Sequence, residues 1–165
     1  MAIRNPDAQA AVAAAAVAVL VLFWPPARAL PVSPNPNLCV DRNPNVIKCC
    51  PSRSNADIIN FTPPPSSSPL RIRRPAHSLD PAAAQKYANA TALMRSLQAD
   101  HPWNFIQQSN VHCAYCAGGH LHSSRNITLE IHFSWLFFPW HRAFLYFYER
   151  ILGKLVGDPS FALPF

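Results

Sequence analysis

The sequence predicts a mainly α-helical domain, half of a helical bundle, behind a Pro- and Cys-rich irregular N-terminal arm. Three observations predict it. In the stretches 81–99 and 139–153, apolar residues recur every three to four positions, as on buried helix faces. Residues 31–81 hold most of the 18 prolines, which excludes long helix there. Between Val111 and Arg150 lie five of the seven histidines, next to aromatic runs that point to a buried site.

At 165 residues the chain is expected to form one domain. Charged residues make up 13% and hydrophobic residues 50%, and the net charge is +6. Arg71, Arg73 and Arg74 form the one tight basic cluster. It has no interleaved aromatics, so it reads as a solvated basic loop and not as a nucleic-acid groove.

Residues 1–30 read as an export or transit signal. Ala8 to Trp24 is nearly all apolar, and Ala27-Arg28-Ala29 offers a small-x-small cleavage site. The run is short of the roughly 20 apolar residues of a spanning helix. The mature chain is expected to start near Leu30, with no stable membrane span. Three regions follow: the signal over 1–30, the Pro-rich arm over 31–80 and the helical region over 81–165. Cys39, Cys49 and Cys50 offer the arm disulfide ties in an oxidising compartment.

The first helix is expected over 81–99, with Asp80 as N-cap, Pro81 at the first position, and Tyr87, Ala90, Leu93, Met94 and Leu97 on its buried face. Pro102 ends it. The chain then turns at Trp103, Phe105 and Ile106 toward His112, placed on a loop or helix end. His132 is expected to open a short apolar helix at about 131–138. Pro139 can open the last helix, which would bury Phe144, Leu145, Phe147, Tyr148, Ile151 and Leu152. His141 then lies in its first turn, with Arg142, Glu149 and Arg150 available to pair its surroundings.

His112, His132 and His141 are the candidate metal ligands. A neutral imidazole suits copper, zinc, iron or nickel, and three of them leave a coordination position open for chemistry. His120 and His122 lie in a Gly/Ser-rich segment and read as solvated loop residues; His77 and His101 read as surface residues. Cys113-x-x-Cys116 could be half of a zinc site or a redox pair. No second such pair exists, and Ala117 occupies the place of the histidine in a haem-attachment motif.

The stretches HCAYC, IHFSWLFFPWHRAFLYFYERIL and DPSFALPF resemble the first copper-binding region of plant polyphenol oxidases, the catechol oxidase and tyrosinase family. The resemblance spans roughly Cys39 to Phe165. It implies half of a four-helix-bundle dicopper oxidase core, with His112, His132 and His141 holding the first copper. It also implies a thioether between Cys116 and His132, and disulfides Cys39–Cys50 and Cys49–Cys113. Together these use all five cysteines.

The implied activity is oxidation of o-diphenols to o-quinones with dioxygen at two coppers. The second copper's histidines have no counterpart here. The expectation is a fragment that binds one copper and is inactive or nearly so alone. The alternatives are a non-catalytic copper-binding or structural fragment, and oxygen binding like that of haemocyanin. By resemblance the compartment is the chloroplast thylakoid lumen. The alternative is the secretory pathway or vacuole, where the sequons at Asn60, Asn89 and Asn126 would be usable.

Overall fold

The computed structural model describes residues 33–41, 48–53, 57, 59–124 and 126–165. The export-signal reading of 1–30 lies outside them. The described chain is mainly helical. Its elements are β1 (Pro34–Cys39), a 3-10 turn (Ala76–Ser78), α1 (Pro81–Ser96), α2 (Phe105–Cys116), β2 (His120–His122) and α3 (Phe137–Leu155).

Helix α1 begins where local chemistry places it. The Asp80 side chain accepts the Ala83 N–H at 2.7 Å, and Pro81 fills the first position, where no N–H is needed. It stops at Ser96, three residues short of the expected end, because Leu97 is already extended. Only Ala90 and Met94 of its apolar face are buried; Tyr87 and Leu93 stay exposed, so the buried stripe is narrower than the sequence suggested.

Asn104 joins α1 to α2. Its Oδ1 accepts the Ile106 N–H at 2.8 Å as N-cap, and its Nδ2 donates to the Leu97 carbonyl at 2.8 Å. No Pro or Gly interrupts 105–117, so α2 runs through His112 to Cys116. His112 is therefore inside a helix, not on a loop or helix end. Gly118 then reverses the chain at φ +64, a conformation that favours glycine. A Cβ there would also collide with the Thr128 side chain.

The arm is not wholly irregular. β1 pairs antiparallel with β2, with Cys39 opposite His120 and Pro34 opposite His122 across an irregular register. This pairing buries His120, against the solvated loop that its Gly/Ser-rich surroundings predict. Disulfides join Cys39 to Cys50 and Cys49 to Cys113. The second closes a 64-residue separation and fastens the arm to α2. In the chain-entropy account a loop of that size stabilises by about 4 kcal/mol. Gln107 of α2 adds a further tie, accepting the Ser52 N–H at 2.8 Å and donating to the Ala99 carbonyl at 2.7 Å.

The separate short helix expected at about 131–138 does not form. Ile131 to Leu136 is a series of turns, and α3 starts at Phe137. Local side-chain bonds compete with a helix here. Glu130 Oε1 takes the His132 N–H at 2.9 Å, and Ser134 Oγ donates to the Ile131 carbonyl and accepts the Leu136 N–H. Pro139 sits third in α3, still within the turn whose N–H groups have no helical partner.

The core lies between α1, α3 and the C-terminal segment. Ala90, Met94, Leu152, Phe161 and Leu163 are buried together, with Phe105, Tyr148, Ile151, Leu155 and Val156 packed against them. Gly153 permits the chain to return closely after α3, since a Cβ would meet the Asp158 carbonyl at 2.7 Å. Glu149, only 3% exposed, is the polar centre of this packing. Arg71 Nε and Arg73 Nε donate to its two oxygens at 2.9 and 2.8 Å, and the Leu163 N–H donates to Oε2 at 2.9 Å. Two residues of the basic cluster are thus a clamp on α3, not a solvated loop. The three donors to the Glu149 carboxylate are Arg71, Arg73 and Leu163, none of them from the surroundings of His141. Among the described residues no helix is long and apolar enough to cross a membrane.

Candidate metal centre

The three histidines arrive from three different places. His112 comes from the penultimate turn of α2, His132 from the turns before α3, and His141 from the first two turns of α3. One ring nitrogen of each lies within 4.8 Å of the others. His112 Nε2 and His141 Nε2 are 3.1 Å apart. The rings of His132 and His141 stack nearly parallel with centroids 5.4 Å apart. Among the described residues this is the one such cluster of possible ligands.

The tautomer of His141 follows from its partner. Its Nδ1 is 2.6 Å from the Phe137 carbonyl, which can only accept. Nδ1 therefore carries the proton, and the Nε2 lone pair faces His112. A ligating histidine is commonly fixed in this way through its other nitrogen. The helix itself supplies the partner, since Phe137 lies one turn earlier.

Burial is the main reason His112 titrates below the usual imidazole range, and the neighbouring His141 and His132 push the same way. His112 is thus favoured in the neutral form that binds metals. Cys116 Sγ lies 3.2 Å from His132 Nε2 and 3.4 to 3.5 Å from the His112 nitrogens. It is a free thiol, and burial, with Glu130 adding to it, raises its pKa to about 11.

The donor set fits a metal ion. Imidazole nitrogens ligate at about 2.0–2.1 Å, so two that share an ion are separated by about 3 Å or slightly more. The 3.1 Å gap between His112 and His141 meets that condition. Three half-buried imidazoles with no carboxylate among them suit copper or zinc better than magnesium or calcium.

Aromatic rings wall the cluster. Phe137 packs on His141 with centroids 4.7 Å apart, and Trp140 and Phe144 each lie 5.8 Å from His112. Beyond them Phe133 is 94% exposed, and Trp135 and Phe138 are each 74% exposed. His120 and His122 are not brought into the cluster. His120 stacks on Tyr115, and His122 Nδ1 accepts the Ser124 N–H at 3.2 Å. His77 is exposed, and His101 Nδ1 accepts the Trp103 N–H. Sequence reasoning missed the Phe137 carbonyl, although its four-residue spacing from His141 was a usable signal.

Two helices and the turns between them thus converge a three-histidine, carboxylate-free site that could hold a metal ion. Residues 76–165 match the common central domain of tyrosinase, and the chain belongs to the tyrosinase family, whose enzymes use copper. The chain is 54% identical over 120 residues to aureusidin synthase of Antirrhinum majus, covering 72% of this chain and 21% of that protein. It is 54% identical over 102 residues to the chloroplastic polyphenol oxidase A1 of Vicia faba, covering 61% and 17%. The crystal structure of Grenache (Vitis vinifera) polyphenol oxidase superposes with a TM-score of 0.73 at 42% identity, over 82% of this chain and 42% of that one. A latent aurone synthase superposes at 0.74 with 39% identity, over 82% and 29%. The chain spans about a fifth of the length of the curated relatives it matches.

Proposed function

We propose that the chain supplies the first copper site of a phenol oxidase. His112, His132 and His141 hold one copper. The complete two-copper site oxidises o-diphenols to o-quinones with dioxygen. The observation that carries this reading is the convergence of three imidazoles, one of them oriented by a backbone carbonyl. Bound copper would supply redox chemistry with dioxygen that no side chain here can perform.

The protein's own residues do the rest. The Phe137 carbonyl orients His141. Cys116, in contact with the His132 ring, restrains it, and a thioether between the two would make that restraint permanent. Phe137, Trp140 and Phe144 keep water from the cluster, and the exposed Phe133 offers a face on which a phenol ring can stack. The disulfide from Cys49 holds α2, and with it His112, against the arm over 31–80. An oxidising compartment suits these bonds. Several relatives are named chloroplastic, which supports a plastid location, and within the plastid we place the chain in the thylakoid lumen.

The test is oxygen uptake with a simple catechol by residues 31–165 loaded with copper, with His141→Ala as control. These residues alone are expected to retain about one copper and to give almost no uptake. Uptake that depends on His141 would show that a second copper arrives from another chain.

A further inference from the structure

Among the described rings that touch the three histidines, Phe137 and Phe144 cannot be oxidised at accessible potentials, and Trp140 can. Trp140 touches two of the three, with centroids 5.2 Å from His141 and 5.8 Å from His112. It also meets Tyr115 at 5.0 Å, and Tyr115 in turn meets His120 at 4.6 Å. His120 is 6% exposed, and its Nδ1 is a buried atom with no hydrogen-bond partner. A line of oxidisable rings therefore leaves the cluster and ends at Tyr115, beside buried His120.

We propose that Trp140 and Tyr115 form a hole-transfer path that drains stray oxidising equivalents from the metal site, sparing its histidine ligands. The inference rests on the copper reading above. A first hydrogen peroxide would reduce bound copper(II) to copper(I), leaving a hydroperoxyl radical and a proton. Copper(I) would then split a second peroxide to hydroxide and a hydroxyl-radical-level oxidant. Trp140 gives that oxidant one electron, which turns it into hydroxide. Tyr115 then gives one electron to the oxidised indole, which restores Trp140. The phenol proton of half-buried Tyr115 is released to water. The balance is one oxidant reduced by one electron, one tyrosyl radical formed and one proton released. Ring contacts at these separations support such short steps. Phe144, although stacked on Trp140 at 5.3 Å, offers no branch because its ring resists oxidation.

The test is peptide mapping by mass spectrometry after the copper-loaded chain is treated briefly with hydrogen peroxide. Copper content is measured first for every variant. In the native chain oxidation products are expected at Tyr115, with the histidines largely intact. In Trp140→Phe, Tyr115 products should fall several-fold, and oxidised His112 and His141 should rise several-fold. In Tyr115→Phe, products should accumulate at Trp140. Copper retained in all three chains with Tyr115 products unchanged in Trp140→Phe overturns the path and leaves the metal site standing. A native chain that keeps no copper overturns the metal site and the path with it.

Discussion

His112 and His141 are 29 residues apart in the chain, yet their Nε2 atoms meet at 3.1 Å. Neither nitrogen is placed by its own neighbours alone. The contact exists because α2 is fastened by its disulfide to the arm, while α3 is clamped at Glu149 by two arginines of the segment before α1.

The clamp gives the first prediction. Glu149 is buried, while Arg71 and Arg73 keep 21% and 38% of their side-chain surface in solvent. Removing one partner of a fully buried pair costs about 3–5 kcal/mol, and the partial exposure of the arginines reduces that. Glu149→Ala is expected to lower unfolding stability by about 2–3 kcal/mol, with Glu149→Gln losing less because it keeps an acceptor for the Leu163 N–H. Urea unfolding measures both. Equal losses in the two variants would mean that packing, not hydrogen bonding, sets the effect.

Asp158 gives the second. Lys86 Nζ lies 2.6 Å from its carboxylate, and with the Ser160 hydroxyl and N–H it holds the Asp158 pKa at about 2, against an ordinary 3.8. A folded pKa below the unfolded one stabilises above the unfolded value and loses that stabilisation as pH falls. Wild type should exceed Asp158→Asn in melting temperature at neutral pH, and the gap should close between about pH 5 and about pH 2. A gap that does not vary with pH would remove the charge from the explanation.

The long disulfide gives the third. Replacing Cys49 and Cys113 together by alanine should cost about 4 kcal/mol on the chain-entropy account and should weaken copper retention by loosening α2. Urea midpoints under non-reducing conditions, read beside copper content, test both halves. A stable double variant that still binds copper would show that α2 is positioned by Gln107 and its packing alone.

Local chemistry made part of this structure legible. Asp80-Pro81 marked the start of α1, and the three histidines singled out from the sequence do lie together. What stayed hidden is non-local. No local signal tells Arg71 and Arg73 that their partner is a carboxylate more than 70 residues away. His120 is buried where the proline-rich arm, expected from the sequence to be irregular, pairs with its strand. The aromatic run from Phe133 to Phe138 has the composition of a buried helix, but Ser134 and Glu130 spend its backbone groups in turns, leaving Phe133 exposed. Adjacent Cys49 and Cys50 face different partners, a choice that came from family resemblance and not from spacing.

The most direct test of the central claim is copper retained per chain after loading and removal of excess metal. It is to be measured for the native sequence and for His112→Ala, His132→Ala and His141→Ala. About one copper per native chain is expected, with at least tenfold weaker retention in each variant. Retention unchanged by all three substitutions would contradict the assignment of these histidines as the site.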